Sequence, residues 1–146
     1  MSSKTLFIAA LLFTFFTQTL SAESMDFKNL TGSWHLLAID GKEVRKARSI
    51  VEFDGKNMKI SGFDACNRIT GLLRVDAKTK YYYTNLTKTR MACRSSLHSY
   101  VSHTLHKTFD ARFIITKEKK YGVNGITIKS AKHELFFKKM GKDSLF

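Results

Sequence analysis

The sequence contains no proline, two cysteines, eight glycines and a single tryptophan among 146 residues. Without proline there is no stiff spacer, and without a Gly/Ser-rich stretch nothing marks an internal domain boundary. No segment repeats at the length of a solenoid or propeller unit. Acids are scarce too: 12 Asp+Glu stand against 25 Lys+Arg, a formal net charge of +13. No carboxylate pair is nominated for glycosidase-type acid/base chemistry. A P-loop, a G-x-S-x-G elbow, a dinucleotide fingerprint and a C-x-x-C motif are all missing. The sequence therefore nominates no catalytic residue and implies no cofactor.

One long apolar run is present, Leu6 to Phe16 (LFIAALLFTFF), preceded by Lys4 and followed by Thr19-Leu20-Ser21-Ala22. This is the layout of a signal peptide over residues 1–22, cleaved after Ala22. The run is too short for a permanent membrane helix, which needs about 20 residues. No cysteine near the cleavage point offers a lipid anchor. The expected product, residues 23–146, is one soluble, monomeric, exported domain large enough to bury a core. It carries no transmembrane segment and lies in the periplasm. There the positive charge meets lipopolysaccharide, anionic lipid headgroups or other envelope proteins rather than nucleic acid. The candidate contacts are Lys42, Arg45, Lys46 and Arg48, then Lys117, Lys119 and Lys120, then Lys138, Lys139 and Lys142. The same charges would also keep the surface solvated and resistant to aggregation.

Most of the chain alternates with period two. Trp34, Leu36 and Ala38 alternate with His35, Leu37 and Ile39, and Asp40-Gly41 follows. Similar short runs recur around Val51–Phe53, Met58–Ile60, Leu73–Val75, Tyr81–Tyr83, Phe113–Ile115, Ile126–Ile128 and Leu135–Phe137. Such runs between D-G, N-G and glycine turn signals predict an antiparallel meander of about eight strands. One segment breaks the rhythm. Leu97, Val101, Leu105 and Phe109 recur every four residues, which predicts an amphipathic helix capped by Ser95 or Ser96. The fold class is thus mainly β, a partly open antiparallel barrel with one helix packed across it. Of the three tyrosines in a row, at least one must face outward, most simply to cover a hairpin edge, with stacking on a sugar or ligand ring as the alternative.

Cys66 and Cys93 are an even pair in an exported chain, which favours a disulfide. Arg68, Arg90 and Arg94 and the nearby helix start would lower a thiol pKa if the pair were reduced, which keeps a reactive thiol as the alternative. His98, His103 and His106 fall on the predicted helix, His103 and His106 opposite the apolar stripe. Their spacing lacks the i, i+4 geometry of helical zinc sites, so no metal is expected. His35 and His133 are strand positions with no evident partner. Asn29-Leu30-Thr31 and Asn85-Leu86-Thr87 match glycosylation acceptors, relevant only in a eukaryotic secretory pathway.

The order of features resembles a known family. Leu30-Thr31-Gly32-Ser33-Trp34-His35-Leu36 resembles an L-x-G-x-W-x-L opening. Ile60-Ser61-Gly62, Cys66-Asn67 and Gly71 resemble a G…CN…G segment, and Thr89-Arg90-Met91-Ala92-Cys93 resembles T-[RK]-M-A-C before the helix. Ile126–Ile128 and Leu135–Phe137 resemble the closing strands. Together these resemble the META domain, as in HslJ-like heat-shock proteins, over about residues 28 to 140. The resemblance implies a non-enzymatic bacterial envelope protein tied to heat shock and novobiocin tolerance. Its motif residues here, Gly32, Trp34, Gly62, Cys66, Asn67, Gly71, Thr89, Met91 and Cys93, read as structural. Gly71 is expected to permit a turn and Asn67 to bond its own loop backbone. Ala65 stands where the family often has glycine, and the helix begins Arg94-Ser95-Ser96 where the family often has an acid. A lipocalin-like ligand-binding barrel is the alternative, because G-x-W on a first strand also opens that fold.

Overall fold

The computed structural model describes residues 26–141; the expected signal peptide over 1–22 and Lys142 lie outside the described residues. Ten strands form: β1 (Gly32–Ile39), β2 (Lys42–Glu43), β3 (Ile50–Asp54), β4 (Lys59–Phe63), β5 (Arg68–Val75), β6 (Tyr82–Thr84), β7 (Thr87–Lys88), β8 (Phe113–Lys120), β9 (Val123–Ser130) and β10 (Glu134–Lys139). All pairings are antiparallel, in the order β10-β9-β8-β6-β5-β4-β3-β1-β2, and β10 pairs back onto β1. Eight strands thereby close into a ring, while β2 and β7 are short additions to β1 and β5. The ring is thinnest between β6 and β8, where the pairing is the single bridge Tyr82↔Phe113. The expected partly open barrel of about eight strands is the observed architecture.

The helix α1 (Ser96–Asp110) follows β7 and packs over β6 and β9. Its cap is Ser95, whose Oγ accepts from the His98 amide, satisfying an N-terminal donor that the helix leaves open. The expected stripe faces the barrel: Val101, Leu105 and Phe109 are fully buried. Phe109 meets Phe113 edge-on at 5.1 Å, and Phe113 stacks on Tyr82 at 6.0 Å, so aromatic rings fill the thin seam. Side chains occupy the barrel interior, with Leu36, Val51, Ile60, Ile128 and Phe137 all at or below 1 % exposure.

β1 departs from simple alternation. A register shift between Leu36 and Ala38 against β10 moves Ile39 into the main core. Leu37 and Ala38 instead pack outside with Phe136 and Val123. An extra residue in one strand reverses every later side chain, because the period is two. The β8–β9 hairpin covers this outer cluster: Tyr121 at its tip lies edge-on to Phe136 at 5.6 Å, and Lys120 bridges Glu118 and Glu134. Of the three tyrosines, Tyr81 faces solvent, Tyr82 packs on the core and Tyr83 lies under Arg112.

Candidate functional site

Two regions bring together the residues that the sequence singled out. The first is the loop Asp64–Asn67 between β4 and β5. Asp64 folds the loop around its own carboxylate: Oδ1 accepts from the amides of Cys66 (2.8 Å) and Asn67 (2.6 Å). This is the aspartate turn, in which a short side chain replaces a backbone acceptor. Oδ2 accepts from Ser102 Oγ at 2.9 Å and His106 Nε2 at 2.7 Å, both on α1. Asp64 is 0 % exposed and the carboxylate carries no hydrogen to give, so each of its four partners donates. Burial alone would raise this carboxyl; the bonds from His106, the two amides and Ser102 outweigh it and hold the group below the usual carboxylate range.

This cluster corrects one expectation and adds a residue set. His106 is not a surface histidine opposite the stripe; it sits on the flank of the stripe and is buried against Asp64, whereas His103 is exposed as expected. Ser102 and His106 are one helical turn apart, a spacing that would have pointed to a shared partner. The three side-chain types resemble a nucleophile, base and acid, but their connections differ. Ser102 donates to Asp64 rather than to His106, so the carboxylate is the hub and the hydroxyl has no imidazole partner.

The loop is also tied to the segment before α1. Cys66 and Cys93 form a disulfide with Cα atoms 4.8 Å apart. Asn67 Oδ1 accepts from the Met91 amide at 2.7 Å and from Thr89 Oγ1 at 3.3 Å. The Asn67 side chain therefore bonds the distant segment and not its own loop, which Asp64 organises instead. Thr89 and Arg68 exchange further bonds, N–H to carbonyl and N–H to Oγ1, each at 3.1 Å. Met91 contributes its amide, while its side chain is exposed. Gly71 lies within β5 at an ordinary φ rather than in a turn; an added Cβ would come within 3.0 Å of the Asn85 carbonyl. Gly62 has φ +138°, and a Cβ there would sit 2.2 Å from the Ile50 carbonyl oxygen. Cys66, Asn67, Thr89, Cys93 and the Met91 amide thus fasten one corner of the barrel.

The second region is basic. Phe113 and Ile115 point into the core, and the same alternation carries Lys117 and Lys119 along that face of β8 beyond the packed interior. Lys117 is paired with Ile126 and Lys119 with Asn124, while Lys139 is opposite Trp34. These residues line a cleft of about 780 Å³ at the barrel rim. Trp34 donates its Nε1–H to the Leu30 carbonyl at 2.8 Å, and Lys139 Nζ lies 5.8 Å from its ring centroid.

The remaining expected contacts are placed elsewhere. Lys42 stands over Tyr100 at 4.9 Å, and Arg45 is 3.8 Å from Glu43. Lys46 and Arg48 share the exposed turn after β2. Lys138 alternates to the side away from Lys139, opposite His35. Burial, then the charges of Arg45, Arg48 and Lys138, hold His35 below the usual imidazole range, and its Nε2 contacts the Arg45 carbonyl at 3.2 Å. Lys120 is not an open contact, being engaged by Glu118 and Glu134. His133 also has a partner: its Nδ1 is 2.8 Å from Asp40. Gly32 opens β1. Among the described residues, no three His, Cys, Asp or Glu side chains are grouped to hold a metal ion. None of their helices is long and apolar enough to cross a membrane.

Comparison with known proteins agrees with the fold. The model of the META domain matches residues 28–140. A solution NMR structure of a protein from Burkholderia xenovorans shares the fold, with a TM-score of 0.59, 18% identity, and 80% of this chain and 87% of that one covered. A crystal structure of a DUF4847 family protein from Bacteroides vulgatus aligns with a TM-score of 0.53 and 14% identity, covering 78% of this chain and 96% of that one. At such identities the likeness shows the fold alone. Among curated proteins, none matches the sequence significantly.

Proposed function

Because the chain belongs to the META domain family, we propose that it is a non-enzymatic binding protein of the bacterial periplasm. Its targets are anionic envelope components, lipopolysaccharide or lipid headgroups, in the heat-stress role implied by its HslJ-like features. The observation that carries this reading is the state of its cations. Lys42, Lys46, Arg48, Lys117, Lys119, Lys138 and Lys139 are exposed, and among the described residues none forms an ion pair. Cations left without carboxylates on a rigid surface attract polyanions at long range. The disulfide supports residence in an oxidising compartment. The lipocalin-like alternative has less support, because Phe109, Phe113, Leu135 and Phe137 occupy the space an enclosed ligand would need.

Co-sedimentation with vesicles containing phosphatidylglycerol, compared with neutral vesicles, tests the proposal. Binding should be strong in low salt and weaken as added salt shortens the screening length, about 10 Å at 0.1 M. Equal binding to neutral and anionic vesicles, or binding indifferent to salt, would refute it.

A further inference from the structure

We propose that the rim cleft walled by Lys117, Lys119 and Lys139 and floored by Trp34 and Ile126 is a binding site for a phosphate-bearing group. This deepens the anionic-partner reading and rests on it for the physiological source of that group.

The geometry comes from register. Lys117 and Lys119 are two residues apart on one face of β8, hence about 7 Å apart along the strand. Lys139 lies on β10, two strand spacings away through β9, which is about 10 Å. Three ammonium groups thus share one concave surface whose lining includes a single acid, Glu118. That carboxylate is already engaged: it accepts from Thr127 Oγ1 at 2.8 Å and pairs with Lys120 at 3.1 Å, and it forms no ion pair with Lys117, Lys119 or Lys139. Like charges at this spacing repel, and the low-dielectric floor of the cleft focuses their potential. A compact anion carrying several oxygens relieves that repulsion by giving each flexible lysine its own acceptor, as Lys does in phosphate sites.

The floor supplies the complement to the charge. Trp34 is only 4 % exposed and Ile126 is buried, so the base of the cleft is rigid and apolar. The Asn124 carboxamide adds a neutral donor at the wall. The cleft volume of about 780 Å³ lies within the range of small-molecule sites. The other basic group, Lys42 to Arg48, lacks this form: Lys42 is on Tyr100, Arg45 is near Glu43, and Lys46 and Arg48 stand exposed on the short helical turn after β2.

Trp34 is the sole tryptophan, so intrinsic fluorescence reports on the cleft directly. The disulfide-bonded protein would be titrated with inorganic pyrophosphate, and separately with phosphatidylcholine vesicles with and without phosphatidylglycerol. The same titrations would be run on Lys117→Gln/Lys119→Gln, and on Lys56→Gln/Lys88→Gln as a variant of equal charge loss elsewhere. The expected result is a saturable change in Trp34 emission. Affinity should weaken by about 25-fold in the cleft variant, about fivefold per lysine, and by less than about twofold in the control, whose charges lie outside the cleft. A response to pyrophosphate without vesicle binding would retain the site, assign it to a soluble phosphate compound and refute the envelope-surface reading. Vesicle binding that survives in the cleft variant would overturn the cleft and leave the surface reading standing. Equal weakening in both variants, or no saturable emission change with either probe, would also overturn the cleft.

Discussion

Replacing Asp64 by asparagine is expected to destabilise the protein by about 2 to 3 kcal/mol, although the side chain keeps its size. The carbonyl of asparagine retains the two amide bonds at Oδ1, from Cys66 and Asn67. Oδ2 becomes an NH₂ group facing Ser102 Oγ and His106 Nε2, two groups that now donate. Hydrogen bonds to a charged acceptor contribute about 1.5 to 3 kcal/mol each, and neutral bonds about 1. Ser102 can rotate and His106 can change tautomer to accept instead, so the loss is the difference between two charged and two neutral bonds. Urea unfolding of the oxidised protein measures it, with a companion fall in Tm of about 10 °C. A cycle with His106→Gln should give a coupling of about 1 kcal/mol or more. The dependence on pH has a definite sign. Because the folded carboxyl lies below its ordinary value, its contribution is complete above the unfolded value of about 3.9 and is lost as pH falls through the lower folded value. The wild-type advantage should therefore persist at about pH 5 to 7 and shrink below about pH 4. A variant within about 0.5 kcal/mol of wild type at neutral pH, with no coupling to His106, would refute the claim that the carboxylate is the hub.

Three further outcomes test the same corner of the barrel. Ala65 holds φ 92°, a conformation costing an L-residue about 1 to 2 kcal/mol, partly offset in glycine by about 0.5 to 1 kcal/mol of chain entropy. Ala65→Gly should accordingly raise the urea midpoint, by about 0.5 kcal/mol in stability, and a lowered midpoint would contradict the strain. Gly62→Ala should cost about 3 kcal/mol or more, seen as loss of cooperative unfolding, because its Cβ would meet the Ile50 carbonyl oxygen at 2.2 Å. Cys66→Ser/Cys93→Ser should lower stability by about 3 to 4 kcal/mol, as reductant should in the unmodified chain, on the chain-entropy model for a separation of 27 residues.

Repeating patterns were legible in the sequence because they are local. Alternation at Val51–Phe53 and Leu135–Phe137, and the four-residue recurrence from Leu97 to Phe109, each report a buried face within one element. The cysteine pair was legible through parity and the small set of partners. Less legible was the role of each motif residue. Gly71 and Asn67 have intrinsic properties suited to turns, but their positions follow from segments that approach from elsewhere: Asn85 for the first, Met91 for the second. The flank position of His106 on α1 is likewise ambiguous until another element covers it.

The basic residues illustrate the same division. Their number and grouping are evident in the sequence, but Lys120 engages two carboxylates while Lys117 and Lys119, on the other face of β8, do not. Strand register decides which lysines share a surface, and barrel closure decides that β8 and β10 bring Lys117, Lys119 and Lys139 to one rim. By itself the sequence determined the fold class, the helix, the disulfide partners and the excess of cations, since these depend on residue type and near-neighbour spacing. Only the tertiary structure decided the bulge in β1, the carboxylate hub at Asp64 and the cleft over Trp34. Each of these joins residues from separate elements, as Asp64 and His106 are joined across 42 residues, or shifts a register by one, and neither leaves a periodic trace in the chain.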